Sequence, residues 1–273
     1  MSTLTLPETE TLLLEVQDHA LHITLNRPKA RNAMSLKMVH ELMAVFEQIA
    51  EQREIRAVVL RGAEGHFCAG GDIKDMANAR MAAASQSEGD DPFYALNREF
   101  GRMITYANQL PQVLIAVTEG AVLGGGFGLC CISDVALSAA DAQFGLPETG
   151  LGIPPAQIAP FVVTRIGLTQ ARRLALLGAR FDGNEAQRLG IVHEAHTSKD
   201  ALEEALNTVL KQVKRCAPNA NRYTKQLILS VGQQPLDALL DGAAQQFSAA
   251  VQGEEGQEGT MAFMQKRQPK WAE

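Results

Sequence analysis

The sequence holds few of the devices that staple a chain or anchor it to something else. Only four cysteines occur in 273 residues. None forms a C-x-x-C pair and none stands at zinc spacing from a histidine, so neither a disulfide framework nor a structural metal site is indicated. Adjacent Cys130 and Cys131 sit in an apolar run and read as small buried hydrophobes. Long apolar runs are missing too: the uncharged stretch Gly120–Ser133 is too short and too rich in glycine to span a bilayer. The opening MSTLTLPETE has neither a basic n-region nor an apolar h-region, which excludes a secretory signal and leads us to expect a reduced, cytoplasmic protein. Positive charge is not in excess. The net charge is −6, with no Lys/Arg stripe, which argues against nucleic acid and anionic membrane as partners. G-x-x-x-x-G-K-[ST], G-x-S-x-G and H-E-x-x-H are all absent, and Gly124–Gly128 fails G-x-G-x-x-G because position 129 is Leu.

What remains is an ordinary globular composition, 46% hydrophobic and 21% charged, on a chain long enough to bury a large core without staples. Leu12–Val16 and Ala20–Leu25 read as strands joined by a hairpin loop at 17–19. Met38, Val39, Leu42, Val45, Phe46 and Ile49 recur at helical spacing behind Ser35, a suitable N-cap. Short apolar runs at 56–61, 113–118 and 135–138 predict buried strands, and 93–109 a helix. The Ala/Ser/Asp-rich stretch 76–92 is aperiodic and predicts a loop or short helix, with Asp90 and Asp91 solvated. Alternating strands and helices predict an α/β core with parallel pairing. Beyond Pro155 helices follow one another at 155–166, 169–177, 184–189, 200–215, 218–230, 236–250 and 255–267, with one strand at 191–194. The break near 195–200 divides a core, 1–197, from a helical C-terminal region, 198–273.

Two glycine-rich turns stand out. Phe67-Cys68-Ala69-Gly70-Gly71-Asp72 follows the strand at 56–61, and Gly120–Gly128 follows the strand at 113–118. Strand C-termini are where open α/β sheets bind ligands. Glycines there let backbone N–H groups approach a ligand closely, and a helix opening near Gly126 would favour negative charge at its start. One such turn alone would read as tight packing. Two in equivalent positions point to a backbone oxyanion hole.

The segments LNRPKARNA (25–33), HFCAGGDIKDM (66–76), GAVLGGGFGLCCISD (120–134), AQFGLPETGLGIPP (142–155), ARFDGNEAQRLGIVHE (179–194) and EGTMAFMQKR (258–267) resemble, in order and spacing, those of the crotonase superfamily of enoyl-CoA hydratases and isomerases. The resemblance runs from about Leu12 to Lys270. It implies an α/β spiral of β-β-α units followed by a C-terminal helical part that trimerises. It implies an acyl-CoA substrate held in a homotrimer or a dimer of trimers, with no metal or redox cofactor. Residue by residue it implies Gly71 and Gly125 N–H groups around the thioester oxygen, and Glu148 exchanging a proton at the substrate α-carbon. It also implies contacts to coenzyme A from Lys29, Ala69 and Lys74, and from Phe263 and Lys266 on a C-terminal helix, often that of a neighbouring subunit. A carboxyl at position 148 sits amid Phe144, Leu146, Pro147 and Leu151, so desolvation should raise its pKa.

Two-glutamate hydratases of this superfamily carry a second Glu where this chain has Gly128. The departure favours a single-glutamate isomerase, or leaves space beside the reacting carbon for a branched substituent. Glu119, which reads more readily as a buried structural residue at a strand end, and the substrate's own second carboxylate are then the candidates to activate water. GGGFGL with PPAQIAPFVV (154–163) resembles most a bacterial branch acting on 3-branched glutaconyl-CoA thioesters. Within that branch the resemblance runs to hydratases of isohexenylglutaconyl-CoA in acyclic terpene catabolism and of 3-methylglutaconyl-CoA in leucine breakdown. A non-catalytic acyl-CoA- or RNA-binding homologue is the alternative from another class.

Overall fold

A computed structural model of the chain describes residues 5–85 and 91–272. Strands β1 (Leu12–Gln17) and β2 (Ala20–Leu25) form an antiparallel hairpin, with Gln17 opposite Ala20. Its turn residues Asp18 and His19 both have positive φ, the conformation a two-residue hairpin requires. Helix α1 (Leu36–Ile49) starts where Ser35 Oγ accepts the Met38 N–H, and it buries the six apolar residues that share one face. Strand β3 (Ala57–Gly62) then returns parallel to β2.

The stretch predicted as aperiodic is more regular than expected. Helix α2 (Ile73–Ser85) covers its first part. Alanine supplies helix propensity there without an apolar stripe, so periodicity had nothing to register. Asp90 lies outside the described residues, whereas Asp91 caps helix α3 (Pro92–Asn108) by accepting the Phe93 and Tyr94 N–H groups. Strand β4 (Val113–Thr118), strand β5 (Ala121–Leu123) and helix α4 (Gly125–Ile132) follow, then strands β6 (Val135–Ala139) and β7 (Gln143–Gly145).

Helix α5 (Ala159–Leu177) is broken at Gly167, whose φ of 74° and ψ of 161° are not helical, so the two helices read from sequence are both present. After strand β8 (Arg180–Phe181) and helix α6 (Gly183–Arg188), the strand expected at 191–194 forms later, as β9 (Glu194–His196). Ile191 and Val192 instead sit in the core, and the His193 N–H reaches the Ala136 carbonyl. Helices α7 (Lys199–Arg215), α8 (Pro218–Leu229), α9 (Leu236–Gln252) and α10 (Glu254–Met264) close the chain.

The main sheet runs β1-β2-β3-β4-β6-β9, parallel beyond the hairpin. Alternation along β3 serves both faces: Val58 and Leu60 enter the main core, Ala57 and Val59 meet Leu202, Leu206 and Val209 of α7. A smaller sheet, β5-β7-β8, stands beside it. There Phe144 and Phe181 stack at 5.9 Å and Phe127 of α4 meets both edge-on at 6.2 Å. This aromatic trio fixes α4, and with it the glycines at its start.

Candidate active site

The two glycine turns are joined before either meets a ligand. Phe67 N–H donates to the Glu119 carbonyl, Cys68 N–H to Ala121 and Leu123 N–H to Cys68, each at 2.8–2.9 Å. The turns therefore pair like short parallel strands, and the glycines that follow them are held in register. A third segment locks the first turn. Asn32, fully buried with φ of 56°, donates to the Ala63 and His66 carbonyls and accepts the Arg27 N–H. Arg27 also pairs with buried Asp72, whose other oxygen accepts the Lys74 N–H. Partial burial opposes ionisation of Asp72, but the Arg27 hydrogen bond holds its carboxyl below the usual range.

Between the turns lies a cavity of about 280 Å³. Ala69, Gly71, Gly124, Gly125 and Glu148 line it, together with apolar side chains that include Phe100 and Ile158. Among the described residues neither the Gly71 nor the Gly125 N–H has a protein acceptor. For Gly125 this follows from its place: the first residue of a helix has no carbonyl four residues back. Gly124 turns the chain into that helix at φ of 50° and ψ of −115°, a conformation closed to other residues.

Glu148 lies in a short 3-10 helix, Pro147–Leu151, that follows β7. A Cβ on Gly124 would stand 2.8 Å from Glu148 Oε1, so the carboxyl rests against the bare glycine. Its Oε2 is buried without a hydrogen-bond partner, and burial raises its pKa above the ordinary value. Asp72 and Asp75 also line the cavity, but they are engaged, Asp75 by the Leu36 N–H at 2.7 Å. Glu148 is thus a desolvated carboxyl beside two unused N–H donors, an arrangement suited to moving a proton next to a developing oxyanion.

Gly71, Gly125, Glu148 and Ala69 are brought together; the other expected residues are not. Lys74 is exposed at the start of α2, and Lys29 is exposed in the turn whose Arg31 carbonyl accepts the Ala69 N–H. Phe263 and Lys266, at the end of α10, are exposed and do not line the cavity. One expectation about the water site fails, and the lesser candidate for activating water is also set aside. Glu119 does not line the cavity. Gly128 leaves no space: a Cβ there would lie 2.4 Å from Ile158 Cγ2 and 3.0 Å from Ile104 Cδ1. Isoleucine side chains occupy the space facing Gly128, one of them from 30 positions further along the chain. The three buried cysteines are inert, since burial pushes the Cys68 thiol up to about 11, Cys130 to about 12 and Cys131 well above its ordinary value.

Sequence reasoning missed Arg27, Asn32 and Asp72 as the brace of the first turn. LNR and GGD were visible, but nothing local shows that they meet. It also missed Asn97 and Gln157, both in the cavity wall. Among the described residues no helix is long and apolar enough to cross a membrane.

Comparison with known proteins places this geometry. A family model described as enoyl-CoA hydratase/isomerase matches residues 15–273. The solved structure of Pseudomonas aeruginosa AtuE is 63% identical and superposes with a TM-score of 0.93, covering 97% of this chain and all of that one. A probable enoyl-CoA hydratase, echA8, of Mycobacterium bovis is 32% identical over 263 residues, 96% of this chain and 98% of its own. The 2,3-dehydroadipyl-CoA hydratase of Escherichia coli is 32% identical over 259 residues, 94% and 97% of the two chains.

Proposed function

We propose that this chain, which belongs to the enoyl-CoA hydratase/isomerase family of the crotonase superfamily and is an enzyme of the hydratase type, adds water to a 3-branched glutaconyl-type acyl-CoA. Isohexenylglutaconyl-CoA, from acyclic terpene breakdown, is the substrate we assign, with 3-methylglutaconyl-CoA the smaller alternative. The observation that carries the reading is Glu148, half-buried with its Oε2 unpartnered, in the same cavity wall as the free N–H groups of Gly71 and Gly125. Apolar lining from Leu36, Val39, Leu96, Phe100, Leu151 and Ile153 suits an isoprenoid branch. The dehydroadipyl-CoA hydratase, named for a thioester with a second carboxylate, supports a carboxylated substrate.

The thioester oxygen accepts both N–H groups, which stabilise the enolate as charge moves onto it. Removing one such donor costs about 3 kcal/mol in acyl-transfer enzymes. The water oxygen bonds to the β-carbon, and its proton passes to the substrate's own second carboxylate. Glu148 gives its proton to the α-carbon and is reprotonated from solvent, to which the substrate's second carboxyl releases the proton it took from water. With Gly128 backed by Ile158 and with Asp72 and Asp75 engaged, the substrate carboxylate is the base this reading requires. Proton transfer and oxyanion stabilisation supply all of this chemistry, and coenzyme A enters as part of the substrate. Lys29 and Lys74 contact its phosphates or adenine edge, and Phe263 and Lys266 meet it from a neighbouring subunit.

A second reading rests on the same count of carboxylates: one free glutamate suffices for a double-bond isomerase. Incubating the purified enzyme with isohexenylglutaconyl-CoA in 18O-labelled water separates the two. Label at the β-carbon supports hydration, while double-bond migration without label overturns it. The region from 198 onward serves assembly in this reading. Phe247, Phe263 and Met264 of α9 and α10 are each more than 70% exposed, more apolar surface than a lone subunit covers. Light scattering should show a trimer or hexamer, and a stable, active monomer at micromolar concentration would refute the assembly.

A further inference from the structure

One stretch of the cavity wall is polar, and its orientation is fixed from behind. Gln157 lies in the wall, next in sequence to the Ile158 that fills the Gly128 site. Its Oε1 accepts from Arg98 Nη1 at 2.6 Å. A guanidinium only donates, so this bond settles which way the amide faces. Gln157 Nε2 then points to Asn97 and donates to its Oδ1 at 2.7 Å. That bond in turn sets the Asn97 amide, leaving the Asn97 Nδ2 hydrogens and one Gln157 Nε2 hydrogen as donors. Both carbonyl oxygens of the pair are already engaged.

The charge behind this patch is uncompensated by protein. Among the described residues Arg98 pairs with no carboxylate, and adjacent Glu99 is held by Arg102. Around it the wall is apolar, from Leu96, Phe100 and Ile158. Two amides turned donor-outward, with a cation one hydrogen bond behind them, suit a group that only accepts. A carboxylate is such a group.

We infer that Asn97 and Gln157, oriented by Arg98, form the subsite for the second carboxylate of the substrate, with Arg98 as the positioning residue. The inference rests on the function proposed above and adds the residues that select for the acid. It also gives the substrate carboxylate a fixed place, which the proposed activation of water needs.

The test uses 3-methylglutaconyl-CoA and 3-methylcrotonyl-CoA, which share the branched enoyl thioester and differ by the terminal carboxylate. Wild-type enzyme should prefer the carboxylated thioester in kcat/KM. Arg98→Met should lower that preference by about 10- to 100-fold, the effect of losing a charge-assisted hydrogen bond. Arg98→Lys, which keeps a cationic donor, should restore part of it. For a tether that merely joins α3 to the 153–158 segment, Arg98→Met would lower both substrates alike and leave the preference for the carboxylate unchanged.

Gly101→Ala offers a second route that spares the fold. Its Cβ would lie 2.0 Å from Gln157 Oε1 and 2.6 Å from Arg98 Nη1, both ends of flexible side chains. Alanine is meanwhile favoured over glycine in a helix by about 1 kcal/mol. It should displace the amide and erase the preference in a well-folded protein. Preference unchanged in Arg98→Met or Gly101→Ala, or a wild type indifferent to the carboxylate, overturns the subsite. A wild type that hydrates neither of these thioesters nor isohexenylglutaconyl-CoA overturns the proposed function itself, a distinct result.

Discussion

Two neighbouring parts of the molecule, the catalytic turns and the packing behind them, are built on opposite terms. Around Gly71, Gly125 and Glu148, polar groups lack partners and side chains are stripped away. Around Gly128, Ile104 and Ile158, atoms fill the space and nothing polar is left over. A protein interior normally forbids a group such as Glu148 Oε2, because an unsatisfied buried polar atom costs about 1–3 kcal/mol. It is tolerated where a reaction uses that atom. The second condition is ordinary core packing, three residues along the same helix. Chemistry and stability should therefore fail separately when either part is altered.

The largest effect should come from Glu148→Gln. It keeps the shape and removes the proton, so turnover should fall by about 100- to 10,000-fold while coenzyme A affinity stays nearly unchanged. Steady-state kinetics with a binding titration checks both, and a mutant keeping half the wild-type turnover would remove Glu148 from the mechanism. Gly124→Ala should come next. Its Cβ would collide with Glu148 Oε1 and disfavour the backbone turn, and a displaced catalytic group can cost about 100-fold. Circular dichroism should meanwhile show a folded protein.

Gly128→Ala should break the other part instead. The added methyl meets Ile158 at 2.4 Å, and overpacking typically costs about 1–3 kcal/mol. Denaturant unfolding should register the loss, with kcat far less affected than in Glu148→Gln. Ile158→Val in the same chain should recover some of it. A drop in kcat to the Glu148→Gln level with unchanged stability would dissolve the contrast.

The smallest effect concerns stability and pH. Burial raises the Glu148 pKa, so between the ordinary carboxylate range and that raised value the folded state binds more protons than the unfolded chain. The stability contributed by the protonated carboxyl is complete below the ordinary value and is lost as pH rises through the raised one. Glu148→Gln escapes this loss. It should melt above wild type at neutral pH, and the gap should close as pH falls below the ordinary carboxylate range. A gap independent of pH would show that the burial of Glu148 carries no such cost.

Much of this contrast was open to sequence reasoning on one side and closed on the other. Gly71, Gly125 and Glu148 stand in turns whose glycines and flanking apolar residues announce a site. Strands β1 to β4, the Ser35 cap and the C-terminal helices were legible for a similar reason: their signal is local and periodic. Strands β5, β7 and β8 are two or three residues long and owe their existence to each other, so no window of sequence contains them. The closure of the Gly128 space by Ile158 is invisible in the same way. Glycine reads as room until the residue facing it is known. The Arg98–Gln157–Asn97 relay was hidden because its members are unremarkable surface types until α3 and the 153–158 segment meet.

The pairing of the two glycine turns has a further consequence. Because Phe67, Cys68 and Leu123 are tied across the turns by backbone hydrogen bonds, the Gly71 and Gly125 N–H groups, proposed as oxyanion donors, are carried by turns already joined to each other. The loss of conformational entropy needed to hold two N–H groups in register, about 1–2 kcal/mol for each backbone residue fixed, is met once, when the chain folds. Substrate arriving at the cavity finds that order already in place, and its binding energy is free to go to the acyl chain and coenzyme A.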